Sequence, residues 1–152
     1  VDPVKPCTCT ESDRQRYIGR VSGPILDRID IHVSMERVLY GELSSSQKPV
    51  DTARLGAGVK RALEMQQERY KDMDIKLNSK LDAKLTEKYC VPDAAGRKLL
   101  KDAFRKWDLS ARAYHRLLRL SRTIADTDGC SDIKEEHILE ALKYRFPDAM
   151  FR

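Results

Sequence analysis

The stretch Ile29-Asp30-Ile31-His32-Val33-Ser34-Met35 alternates apolar and polar residues with a period of two, and no later stretch repeats that pattern convincingly. Ile29, Ile31, Val33 and Met35 would share one face of a strand. A single strand is unstable in water, because its backbone donors and acceptors need a neighbour. No second strand follows to supply one. The pattern therefore predicts a strand from a larger α/β body, with its sheet partners outside these residues.

Everything after that stretch reads differently. Gly41 to Pro49 is polar, carries Ser44-Ser45-Ser46 and reads as a linker. Beyond it the apolar residues recur at helical spacing. Leu55, Val59, Ala62, Leu63 and Tyr70 form a first stripe, with Gly56 and Gly58 weakening its start. Asn78 is positioned to cap a short helix that turns Leu81, Leu85 and Tyr89 inward. Pro92 suits a first helical turn, followed by a face of Leu99, Leu100, Ala103, Phe104 and Trp107. Ser110 is a good N-cap for a helix bearing Ala113, Leu117, Leu120 and Ile124, which Gly129 would stop. Asp132 with Glu135 resembles a capping box for a last helix that buries Ile138, Ala141 and Leu142. Pro147 limits it.

The expected fold is mainly α: a small helical bundle preceded by a short remnant of an α/β core. Residues 1–19 read as irregular, with a helix only near Ser12–Tyr17. Residues 20–40 hold the Ser22-Gly23-Pro24 turn and the strand. Residues 41–49 form the linker, 50–146 the helical domain and 147–152 a tail.

Composition narrows the function classes. The 29 Lys and Arg are interspersed with 24 Asp and Glu, giving a net charge of +5, less concentrated than a dedicated nucleic-acid binder usually shows. No apolar run approaches the roughly 20 residues that span a bilayer, so no membrane partner is expected. Four scattered cysteines suggest no secreted disulfide framework, and a reducing cytoplasm is the expected location. There is no G-x-x-x-x-G-K-[ST] loop, no G-x-S-x-G elbow and no H-E-x-x-H in the chain. His32, His115 and His137 are dispersed and read as structural or surface residues.

Two arginines carry more specific chemistry. Arg28 follows the turn and Asp27, just before the strand. It can be aimed across a subunit interface at a transferring phosphoryl group, or it can pair locally with Asp27 and Asp30. Composition alone sides with the ion pair. Arg112 lies in the first turn of the helix that Ser110 caps, where a cation opposes the helix dipole unless an anion is nearby. Phosphate is a natural anion at a helix N-terminus. Arg112, Arg116 and Arg119 share one face; a solvated basic stripe paired with acids on adjacent helices accounts equally well for Arg112 and is the favoured reading for Arg116 and Arg119. Cys7 and Cys9 could supply half of a Zn2+ site, whose other ligands would lie before Val1; free thiols are the simpler state. Cys90 and Cys130 read as small packing or helix-end residues.

Three stretches go beyond patterning. The first is Cys7-Thr8-Cys9-Thr10 with Arg16-Tyr17 and Ser22 to Val33, including Gly23-Pro24-Ile25-Leu26-Asp27-Arg28-Ile29-Asp30. The second is Ser110-Ala111-Arg112-Ala113-Tyr114-His115-Arg116, running on to Asp126. The third is Ile133 to Arg145. Together they resemble the C-terminal portion of magnesium-chelatase-like AAA+ ATPases, a bacterial family that includes a competence-protein-like branch and is linked in some members to DNA handling. The resemblance covers nearly the whole chain. It implies that the strand is the last of the ATPase core and that the helices form the lid over the nucleotide.

It further implies that Arg28 is an arginine finger acting in trans with Asp27 in support, and that Arg112 is a sensor arginine touching ATP phosphates in cis. Cys7 and Cys9 would end a cysteine-rich insertion. ATP with Mg2+ would be the cofactor of the intact protein, and copies of itself in a ring, with DNA in some members, would be its partners. Without a phosphate loop, these residues alone are not expected to hydrolyse ATP or to hold a cofactor tightly. The alternative function is an autonomous helical nucleic-acid-binding module using the Arg112–Arg122 stripe; a helical scaffold for protein partners is the plainest reading. The unpaired strand argues against a self-sufficient module.

Overall fold

In the computed structural model, which describes residues 8–35, 38, 40 and 51–145, the strand-like stretch takes part in no β ladder. The described residues hold no strand, so the expected strand over 29–35 is not formed here. The His32 N–H instead donates to the Tyr144 carbonyl at 2.7 Å, near the end of the last helix, and no second strand among the described residues lies alongside to continue the pairing. The linker over 41–49 and the tail over 147–152 lie outside the described residues.

The chain divides into two compact units, Val1–Ile29 with Val33–Val50, and Asp30–His32 with Asp51–Arg152. The first contains helix α1 (Glu11–Ile18) and a single turn, α2 (Gly23–Leu26). Thr10 starts α1 by accepting the Asp13 N–H at 3.2 Å. That helix covers the Ser12–Tyr17 stretch where one was allowed, so residues 1–19 are not irregular throughout.

The second unit is built from α3 (Thr52–Arg69), α4 (Ala83–Tyr89), α5 (Ala94–Lys106), α6 (Ala111–Thr127) and α7 (Glu135–Arg145). Its helix starts follow one rule, a short polar side chain just ahead of the first turn. Asp51, Asp82, Asp93 and Ser110 accept the N–H of Arg54, Leu85, Gly96 and Ala113 respectively. The start of α7 differs. Asp132 does not cap it; the imidazole Nδ1 of buried His137 accepts the Lys134 N–H at 3.0 Å. The helix begins later than expected because Ile133 is drawn into a parallel bridge with Pro92, where its carbonyl accepts the Asp93 N–H at 2.8 Å.

Helix α6 is central. It packs against α3, α4, α7 and a 3₁₀ turn at Asn78–Lys80, while α5 packs on α7. Leu100, Ala113, Leu117, Leu118, Ile138 and Leu142 lie at the heart of the core. The face of α3 is not the one its apolar stripe predicts. Of the stripe, Ala62 and Tyr70 are buried, but Leu55, Val59 and Leu63 are exposed, and Gln66 is buried in their place. Gly58 explains the choice: a Cβ there would lie 3.1 Å from the Thr127 methyl, so the small residue lets α3 approach α6.

Gly129 ends α6 with φ +75°, and the Cys130 N–H reaches back to the Ala125 carbonyl at 2.8 Å. A side chain here would be strained by the backbone and would meet Arg61 Cδ at 3.1 Å. Gly129→Ala is expected to destabilise the helical unit by about 1–2 kcal/mol. Urea unfolding followed by circular dichroism measures this; an unchanged midpoint would show that the turn tolerates a Cβ.

Candidate functional site

Ser110 fixes where α6 starts, and this puts Arg112 in the first helical turn, exposed to solvent. Among the described residues its guanidinium has no ion-pair or hydrogen-bond partner. The other arginines of the helix are occupied within the unit. Arg116 pairs with Asp30 at 2.6 Å. Arg119 donates to the Leu81 carbonyl at 3.2 Å. Arg122 is buried, bonded to Asp126 at 3.0 Å and to the Ser131 carbonyl at 2.7 Å. Of the Arg112–Arg122 stripe, Arg116, Arg119 and Arg122 are thus engaged within the unit, which leaves the nucleic-acid alternative with Arg112 alone. Asp30 also departs from the local-pair reading, because its carboxylate turns to Arg116.

In the other unit, Pro24 sits at the start of α2 and Asp27 closes it, its N–H bonded to the Gly23 carbonyl at 2.8 Å. Arg28 N–H then bonds to the Ile25 carbonyl at 2.9 Å. Asp27 is half-buried and Arg28 exposed, and both take part in further interactions. Arg28 with Asp27 and Arg112 thus belong to different compact units.

Cys9 is an exposed cysteine, and Cys7 lies outside the described residues. Among the described residues no three metal-ligating side chains come together, so the Zn2+ reading gains no support. Cys90 is packed in the core, and burial pushes its thiol up to about 11, which keeps it protonated and inert.

What supports the helix carrying Arg112 is a buried polar network that sequence reading missed. The Asp126 carboxylate is fully buried. It accepts from Arg69 at 2.9 and 2.5 Å, from Arg122 at 3.0 Å and from the Asn78 amide at 2.9 Å. Asn78 is not a helix cap. Its carbonyl accepts the Tyr70 hydroxyl at 2.7 Å, its amide also reaches Thr123 at 3.0 Å, and its N–H donates to Gln66 at 2.8 Å. Burial works against the Arg69 charge, but the hydrogen bond and field of Asp126 outweigh it and raise its pKa. Burial likewise pushes the Tyr70 phenol up. The only legible sequence signal was Arg122 with Asp126 at i, i+4.

The helical unit has the form of a lid domain: a bundle around one central helix, which presents a single unoccupied arginine at its N-terminus. The family described as "Magnesium chelatase, subunit ChlI C-terminal" matches residues 50–145, and that described as "Magnesium chelatase, subunit ChlI" matches residues 1–43. This chain belongs to the magnesium chelatase subunit ChlI family. It is 36% identical over 142 residues to the protein YifB of Salmonella typhimurium, covering 93% of this chain and 28% of that one. It is 38% identical over 131 residues to the competence protein ComM of Haemophilus influenzae, covering 86% of this chain and 25% of that one. YifB of Escherichia coli is 34% identical over 142 residues, 93% of this chain and 28% of that one. The chain thus spans about a quarter of the length of these curated relatives. No helix among the described residues is long and apolar enough to cross a membrane.

Proposed function

We propose that this chain supplies the lid and the arginine finger of an AAA+ ATPase that works as an oligomer of identical subunits. Arg112 carries the reading. It is an exposed guanidinium without a partner, in a helix turn whose dipole disfavours a cation, while its neighbours on the helix all have partners. A nucleotide phosphate removes that conflict, because free first-turn N–H groups and the guanidinium would face the same anion. In this reading Arg112 is the sensor contacting phosphates in cis. Arg28, supported by Asp27, is the finger acting in trans.

ATP with Mg2+ would supply the transferable phosphoryl group, held mainly by a phosphate loop outside these residues. The exposed apolar face of Ile29, Ile31, Val33 and Met35 fits a strand whose sheet lies elsewhere in the protein. Residues 20–40 would then be the end of the ATPase core and residues 50–146 the lid.

Arg112→Ala in the full-length protein is expected to slow ATP hydrolysis by roughly 10²-fold, the scale of losing one positioned donor to developing charge. Thermal stability should stay unchanged, since the side chain is exposed and, among the described residues, makes no hydrogen bond or ion pair. Arg119→Ala should instead lower stability by freeing the Leu81 carbonyl. Steady-state hydrolysis and a melting curve read both. Full hydrolysis in Arg112→Ala would sink the sensor assignment.

A further inference from the structure

Beside its buried residues Gly96, Leu100 and Ala103, α5 carries Arg97, Lys101 and Arg105 at i, i+4, i+8. All three are exposed, and among the described residues none has an acidic partner. Like charges at this spacing repel, so the row is at its most stable beside an anion. The three line a groove of about 550 Å³ whose apolar wall is Leu100, Phe104, Ala111 and Tyr114 and whose one carboxylate, Glu87, lies 3.6 Å from His115 Nε2. Phe104 is 40% exposed and stands edge-on to Tyr114, with ring centroids 6.0 Å apart. At 100° per residue, Ala111, Tyr114 and His115 lie on a different face of α6 from Arg112, Arg116 and Arg119. The groove therefore adjoins the phosphate site proposed above at the first turn of α6 but does not include Arg112.

Its occupant must bring carboxylates and an apolar side chain together, and this chain displays that combination. On α7, Glu135, Glu136 and Glu140 are exposed around Leu139, the one large apolar side chain that this helix leaves 37% open. Glu136 stands 3.8 Å from both Lys134 Nζ and His137 Nε2, long contacts of an exposed carboxylate that contribute little.

We propose that the α5–α6 groove receives the acidic face of α7 from a second copy of this chain, with Leu139 seated on Phe104 and the three glutamates facing Arg97, Lys101 and Arg105. The two surfaces are different, so the contact is head-to-tail and propagates from copy to copy. It rests on the proposed assembly of identical subunits but needs neither nucleotide nor Arg28.

The test is a charge exchange read by sedimentation velocity on the 152-residue chain, without nucleotide. Wild type is expected to self-associate with rising concentration and to dissociate as salt is raised. Lys101→Glu with Arg105→Glu reverses the groove; Glu136→Lys with Glu140→Lys reverses the acidic face. Each double variant should keep its helical circular dichroism and weaken association by about 100-fold. Mixed one to one, the two should associate again, because each supplies the surface the other needs. A wild type that stays monomeric at its highest soluble concentration, or a mixture that does not recover, overturns the proposal. So does a monomeric wild type that binds a single-stranded oligonucleotide through Lys101 and Arg105, which would make the groove a nucleic-acid surface. None of these results touches the ATPase reading, which Arg28 and Arg112 variants test separately.

Discussion

Arg28→Ala in the full-length protein is expected to reduce ATP hydrolysis by roughly 10³- to 10⁵-fold, the range over which arginine fingers act in phosphoryl transfer. Nucleotide binding should remain nearly intact, because a finger interacts with charge that develops in the transition state of the neighbouring site. Mixing separates it from Arg112. Arg28→Ala subunits combined with subunits defective in the phosphate loop should regain activity, since one kind brings an intact pocket and the other an intact finger. Arg112→Ala subunits combined with the same partner should regain little. The partner has no working pocket, and the pocket containing the variant lacks its sensor. Recovery with Arg112→Ala and none with Arg28→Ala would reverse the assignment of cis and trans roles.

Asp126→Ala is expected to be the most damaging single change in the helical unit. It removes a fully buried carboxylate and leaves Arg122 buried, with Arg69 beside it, without their counter-charge. Breaking a buried pair in this way typically costs about 3–5 kcal/mol. Asn78 and Thr123 lose their arrangement at the same time, so the junction of α3, the 3₁₀ turn and α6 should loosen together. Urea unfolding should show the midpoint fall steeply, and hydrogen exchange should quicken along α6. Glu64→Ala, which removes the exposed Lys60–Glu64 pair, is the control and should leave the midpoint where it was. An Asp126→Ala chain as stable as wild type would mean that the arginines find water or other acceptors and that the network is dispensable.

Several features were legible in the residues alone because they are local. Ser110 and Gly129 set the ends of α6 through backbone chemistry that involves only adjacent residues. Ile138, Ala141 and Leu142 are buried as their spacing required. The position of Arg112 in a first turn follows from the cap two residues before it. By itself, then, the sequence determined that the second two-thirds is helical, where its central helix starts and stops, and which arginine sits at that start.

The tertiary structure decided what depends on residues distant in sequence. Periodicity marked Leu55, Val59, Ala62, Leu63 and Tyr70 as a core stripe, but packing buried only Ala62 and Tyr70 of these and added Gln66, because Gly58 permits close approach to Thr127. Asn78 reads as a cap until Tyr70, Thr123 and Asp126 are brought around it. Asp132 lost its expected role when Ile133 bridged to Pro92 and His137 took over the capping bond. The arginines of α6 look alike on a helical wheel, and only packing separates the one left exposed from those bound to Asp30, Leu81 and Asp126. The period-two stretch shows the same dependence in reverse. Its pattern was plain in the sequence, but a strand exists only when a neighbouring strand meets its hydrogen bonds, and among the described residues the His32 N–H finds only a helical carbonyl, that of Tyr144.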